Sequence, residues 1–161
     1  MIILGVDPGS LRTGYGAIET DGRRHRLLEM GTFAPSPRLE LPLRLRAIHA
    51  GLAKVIARLR PDVLAVEDVF HAANARSALV LGHVRGVVLL AGADAGLAVS
   101  AFPPATVKVQ VTGFGRAEKA QVAMMVSRIL ALEEQASGDA ADALAVALCH
   151  AHLSAVARPA S

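Results

Sequence analysis

One cysteine, no tryptophan and five aromatic side chains are all that this chain of 161 residues carries of those types. The lone Cys149 excludes an internal disulfide and fits a reducing compartment. On the last helical pattern it reads as a small core hydrophobe. With so few rings (Tyr15, Phe33, Phe70, Phe102 and Phe114), the core must be Leu, Val, Ile and Ala, and an exposed aromatic becomes a candidate for another use. Long apolar runs are also lacking. The longest, Gly86 to Ala93, lies between Arg85 and Asp94, whereas a membrane span needs about 20 apolar residues. The N-terminus opens on a strand pattern without signal-peptide architecture, so a cytoplasmic protein with no membrane contact is expected. Charged residues make up 19% against 53% hydrophobic, which argues against disorder. The length suits one domain over residues 1–155, with 156–161 as a frayed tail.

What is present is periodic. Met1 to Val6, Gly14 to Glu19 and Arg26 to Phe33 read as strands separated by the turn signals Asp7-Pro8-Gly9-Ser10 and Asp21-Gly22, and short connections imply antiparallel neighbours. Leu41, Leu45, Ile48, Leu52, Val55, Ile56 and Leu59 recur at helical spacing until Pro61. Asp62 to Glu67 is a fourth strand, and the crossover helix before it predicts parallel pairing. Residues 73–93 form a helix that is apolar nearly all round, which predicts burial on more than one side. Ala78, Gly82 and Gly86 on it would admit another backbone closely, so a partner subunit is expected there; a sandwiched helix within one chain is the alternative. Leu97 to Phe102 is a fifth strand, Pro103-Pro104 starts a helix, and Ala117 to Leu130 and Asp139 to Leu153 are the last two helices. The fold class is α/β: a five-stranded mixed sheet, three antiparallel strands continued by two parallel ones, flanked by helices.

The chemistry lies in four carboxylates, Asp7, Glu67, Asp139 and Asp142, each where a strand ends or a helix begins. If the first and fourth strands are neighbours, all four meet at one edge of the sheet. Like charges in one site raise each other's pKa, and two divalent metals would neutralise them, an apparatus suited to cutting phosphodiesters. Singly, each acid has a plainer reading. Asp7 could form a turn, and Asp139 and Asp142 could cap and charge a helix N-terminus. Side chains alternate along a strand, so only one of Glu67 and Asp68 can face the site. The apolar run before Glu67 makes it the costly one to bury, and Asp68 reads as a solvated or capping acid. The net charge of +3, with four acids committed to one place, leaves a basic surface around an acidic pocket, as a polyanionic substrate would need. His150 and His152 lie on different faces of one helix and read as structural.

The residues around the acids resemble a known family. Ile3-Leu4-Gly5-Val6-Asp7-Pro8-Gly9-Ser10 with Thr13-Gly14-Tyr15-Gly16 resembles the opening of the RuvC family of bacterial Holliday junction resolvases. Glu67-Asp68-Val69-Phe70 resembles its second motif, and Ser77-Ala78-Leu79 with Leu81-Gly82 and Arg85-Gly86 the helix that follows. Pro104 through Val107-Lys108, then Val111-Thr112-Gly113, Ala117-Glu118-Lys119-Ala120-Gln121-Val122 and Asp139-Ala140-Ala141-Asp142-Ala143-Leu144-Ala145, match the later segments. Phe102 stands where a Tyr is frequent in relatives.

The resemblance implies a ribonuclease H-like fold, a homodimer, and paired symmetric nicking of four-way junction DNA. It implies two Mg²⁺ per active site, held by Asp7, Glu67, Asp139 and Asp142, with Mn²⁺ expected to substitute. The products would be 5′-phosphate and 3′-hydroxyl ends, made in recombination and repair beside the branch-migration proteins RuvA and RuvB. Lys119 is expected to add positive charge at the scissile phosphate. Phe70 could stack on an unpaired base or pack in the core. Arg76, Lys108 and Arg116 are candidate phosphate contacts, and Ser10 and Asn74 either touch DNA or order their loops. A kinase-type phosphate loop at Asp7-Pro8-Gly9-Ser10 would need a second lobe for which this chain is too short. A nuclease for RNA–DNA hybrids shares the acids, and a junction-binding scaffold that never cuts would leave them unexplained.

Overall fold

Alternation along the first strand decides how the layers form. In the computed structural model, which describes residues 1–68 and 74–156, β1 (Ile2–Asp7) is the middle strand of a sheet ordered β3-β2-β1-β4-β5. β2 (Thr13–Thr20) pairs antiparallel with β1, and β3 (His25–Phe33) antiparallel with β2. β4 (Val63–Glu67) lies parallel to β1 on its other side, and β5 (Ala98–Phe102) parallel to β4. This is the ribonuclease H-like mixed sheet expected from the sequence. Both faces of β1 are covered, so the strand is a near-continuous apolar run.

Leu4, Val6, Leu64 and Val66 point to one face, where α1 (Leu41–Leu59) and α2 (Ala75–Asp94) lie. Ile3, Ile18, Val63 and Ala65 point to the other, where α3 (Pro104–Thr112), α4 (Lys119–Ile129) and α5 (Gly138–Val156) lie. By the same alternation, Asp7 and Glu67 belong to the α5 face and Asp68 to the α2 face. Accordingly Asp68 Oδ1 pairs with Arg85 Nη2 of α2 at 2.8 Å; it is an ion-paired acid rather than a solvated or capping one.

Two helices are apolar, and they are covered differently. The helix buried on every side is α5, whose residues Ala143 to Cys149 are at most 1% exposed. α2 buries only Val84, Val88, Ala91 and Gly92. Its Leu79 and Leu90 are 65% and 53% exposed, and a Cβ at Gly82 or Gly86 would meet nothing within 4 Å. Among the described residues nothing sandwiches this helix. Both helices are apolar; α5 is covered by α3 and α4 as well as by the sheet, and that covering is a tertiary fact with no local signal. By length and composition α2 also qualifies as a membrane-crossing helix, at hydropathy 1.3, where the sequence had suggested no run of sufficient length. Its inner side, however, is packed onto the sheet through Val84 and Val88.

Candidate active site

Close backbone approach places the acids. Asp7 is the last residue of β1, and its partner across the β1–β2 ladder is Gly14. A Cβ at Gly14 would overlap the carbonyl oxygen of Asp139, one at Gly5 would overlap that of Ala143, and one at Gly16 would sit 2.6 Å from Leu144 side-chain atoms. Three glycines in adjacent strands thus let α5 rest directly on the sheet, with its first turn over the end of β1. β4 runs parallel beside β1 with Val6 opposite Val66, so Glu67 ends next to Asp7.

The result is a carboxylate cluster. Asp7, Asp139 and Asp142 each offer an oxygen within 4.8 Å of the others. Glu67 ends β4 beside Asp7 and its carboxyl interacts directly with that of Asp7, and it lines one cleft together with Asp142 and Lys119. Burial first, and then the negative charge of Asp142, push the Asp7 carboxyl up to about 6, against the pull of its bond to Glu67 and of Lys119. Burial, then the charge of Asp7 and the bond between them, push Glu67 up to about 8. Because each carboxyl raises or holds the proton of the other, the two titrate as a pair rather than singly.

This predicts an unusual pH dependence for the metal-free protein. Both folded values lie above the ordinary ones of 3.8 and 4.5, so the folded chain holds these protons more tightly than the open chain does. The stability from this pair is complete below about pH 4 and is lost as pH rises through about 6 and then about 8. Melting temperatures in EDTA from pH 4 to 9 should fall more steeply for the native sequence than for Glu67→Gln. Parallel curves would refute the assignment.

All donors here are carboxylate oxygens, all four side chains are part-buried, and their charges are mutually repulsive. That set suits a hard cation such as Mg²⁺ or Mn²⁺. Lys119 opens α4, whose start is fixed by Glu118 N–H donating to Gln121 Oε1 at 2.8 Å, and its Nζ donates to Asp142 Oδ2 at 2.8 Å. Asp142 holds the Lys119 ammonium above its usual pKa. A cleft of about 230 Å³ adjoins the acids, lined by Glu67, Pro104, Val107, Lys108, Lys119, Val122, Asp142 and Ala145.

The remaining expected residues are distributed more widely. Lys108 lines that cleft, while Arg76 and Arg116 are exposed. Asn74 caps α2, its side chain accepting from Ser77 N–H at 2.9 Å. The Ser10 carbonyl accepts from Arg44 of α1. Phe70 lies outside the described residues. His152 Nδ1 bonds the Gln110 carbonyl at 2.8 Å and His150 packs edge-on to Phe102, so both are structural, as expected. One site neighbour escaped the sequence altogether: Arg12 Nε donates to Asp139 Oδ2 at 3.0 Å across 127 positions. No spacing rule connects two such residues.

Comparison with known proteins agrees with this geometry. A profile of the family described as crossover junction endodeoxyribonuclease RuvC matches residues 3–150. The chain is 48% identical over 155 residues to the protein of that name from Desulforamulus reducens, covering 96% of this chain and 95% of the relative. It is 51% identical over 152 residues to the one from Citrifermentans bemidjiense, covering 94% and 93%. The structure of Thermus thermophilus RuvC in complex with a Holliday junction substrate superimposes with a TM-score of 0.93 at 37% identity, covering 98% of this chain and 96% of that one. Sheet order, the position of the acids and nearly the whole sequence point the same way, and the chain belongs to the RuvC family of crossover junction endodeoxyribonucleases.

Proposed function

We propose that this protein is a structure-selective endonuclease that resolves four-way (Holliday) DNA junctions by paired symmetric nicks. One observation carries the reading above all: Asp7, Asp139 and Asp142 bring oxygens within 4.8 Å of one another at an open sheet edge, where acids would repel phosphate unless cations intervene. Two Mg²⁺ would be held by Asp7, Glu67, Asp139 and Asp142, with Mn²⁺ able to substitute. Bound there, the cations would supply an activated water and charge neutralisation for the departing 3′-oxygen, leaving a 5′-phosphate. The chain's own residues do the rest. Glu67 and the α5 acids fix where the phosphate must lie. Lys119, once released from Asp142, brings positive charge to it.

Lys108 extends the cleft toward the phosphate backbone, and Arg76 and Arg116 meet phosphates further out. Ser10 and Asn74 order the loops that flank the DNA. Phe70, which follows Glu67 closely in the chain, stacks on a base opened at the crossover. Residues 1–155 act as a single nuclease domain. The protein works in the cytoplasm beside the branch-migration proteins RuvA and RuvB.

Paired nicking needs two active centres, and the uncovered face of α2 supports a homodimer. Leu79, Leu90, Gly82 and Gly86 present an apolar, closely approachable surface that a second copy would bury. Leu79→Glu should halve the mass measured by sedimentation and convert paired nicks into single ones. A dimer of undiminished stability would place the interface elsewhere.

The deciding experiment is cleavage of a mobile four-way junction beside linear duplex and RNA–DNA hybrid, with Mg²⁺ and with EDTA. Symmetric nicks on the junction alone, lost in EDTA, are expected. Cutting of the hybrid alone would make the protein a ribonuclease of the same fold, and tight junction binding without nicks would make it a scaffold.

A further inference from the structure

In the absence of metal, each acid at the sheet edge has a replaceable partner. Asp7 and Glu67 have each other, Asp142 has Lys119, and Asp139 has Arg12 at 3.0 Å. The Arg12 arrangement is built at both ends. Its loop between β1 and β2 is tied by Thr13 Oγ1 donating to the Gly9 carbonyl at 3.4 Å and by Arg44 donating to the Ser10 carbonyl. A Cβ at Gly9 would overlap the Arg12 carbonyl, and Thr13 is fully buried. Asp139 is fixed in turn by the contact of its backbone with Gly14. The backbone on both sides is therefore held, while the guanidinium itself is 63% exposed and can swing.

We propose that Arg12 is an exchangeable counter-ion: it occupies Asp139 until a divalent cation takes that carboxylate, and it then turns to a phosphate of the bound DNA. The DNA half rests on the function proposed above; the cation half does not. The guanidinium fork matches carboxylate and phosphate alike and is weakly hydrated, so the exchange replaces one charge-assisted bond with another. A cation cannot claim the full charge of Asp139 while Arg12 holds Oδ2. Once it does, Arg12 is left without a partner at the rim of a site whose negative charge has been neutralised, which favours phosphate. Cation and DNA then strengthen each other's binding reciprocally. Lys119, at the start of α4, stands in the same relation to Asp142, whereas Arg12 reaches Asp139 from the loop between β1 and β2.

The test uses the full chain. Mn²⁺ binding is titrated without DNA by electron paramagnetic resonance for the native sequence, Arg12→Lys and Arg12→Ala. Arg12→Ala should bind Mn²⁺ about two- to five-fold more tightly, the scale of an exposed ion pair, and Arg12→Lys should stay near the native value. Junction affinity is then measured in EDTA and in Ca²⁺. The native protein should gain affinity with Ca²⁺, and Arg12→Ala should lose most of that gain with little change in EDTA. Unaltered Mn²⁺ affinity in Arg12→Ala would overturn the counter-ion role. An equal loss of junction affinity in EDTA and Ca²⁺ would make Arg12 an ordinary phosphate contact and overturn the exchange. Failure of the native protein to bind junctions at all would sink the proposed function, while the Mn²⁺ titration would still decide the role of Arg12 at Asp139.

Discussion

Asp7→Asn is expected to lose junction cleavage by a factor on the order of 10³ or more while becoming more stable without metal. The two effects have one origin. Asp7 lies against both Glu67 and the α5 acids, so removing its charge takes a carboxylate from the proposed ligand set and reduces the charge left to hold a cation. The same charge is a burden to the empty fold, because burial and Asp142 oppose its ionisation. An amide of equal size keeps the packing and discards that cost. At pH 8 in EDTA the gain should be about 1–3 kcal/mol, or a rise in melting temperature of about 2–4 °C per kcal/mol for a chain of this size. The gain should shrink at pH 4, where the native carboxyl is already protonated, and in saturating Mg²⁺ the order of stabilities should reverse. Binding of the intact junction should persist, since an acid facing phosphate has been removed. Residual cleavage within tenfold of native, or identical melting of the two proteins at pH 8 in EDTA, would refute the placement of Asp7.

Gly14→Ala should damage both the fold and the site. Its Cβ would overlap the Asp139 carbonyl and lie 2.9 Å from the Asp139 Cβ, so β2 and the first turn of α5 would have to part. Overpacking of this kind costs about 1–3 kcal/mol, roughly 2–12 °C in melting temperature. The larger effect is on chemistry. A displacement of about 1 Å at the reacting groups costs on the order of 10²-fold in rate, and here two of the four acids ride on the helix that moves. Gly82→Ala on α2 is the contrast: nothing lies within 4 Å of its added methyl, and alanine is the better helix former by about 1 kcal/mol. It should stabilise the single chain. Equal effects from the two substitutions would mean that helix–sheet contact does not position the acids.

The fold was legible where physics is local. Strand alternation and turn residues located all five strands to within one residue at most ends, and the crossover helix before β4 told its direction. Alternation also separated Glu67 from Asp68, since neighbours on a strand must face opposite layers. Beyond that, local pattern was insufficient. α2 and α5 are both apolar, and only the docking of α3 and α4 determines which of them is enclosed. The three glycines under α5 were visible as glycines, but a glycine in a strand does not announce what approaches it. Arg12 had no signal at all, because its partner is distant in the chain and its own neighbourhood resembles any polar loop. The acids could be read as a group only because each stands at the end of a regular element; the pairing of Asp7 with Glu67 needed the strand order as well.

The cluster joins the first strand to the last helix, Asp7 to Asp139 and Asp142. A ribosome making this chain releases the α5 acids long after Asp7 and Glu67. Until α5 has docked, no fragment owns more than two of the four groups, and none can assemble the cluster. The cell is thereby protected from half-made copies: an incomplete or truncated nuclease is also an inert one, and the capacity to cut a chromosome arrives together with the finished fold.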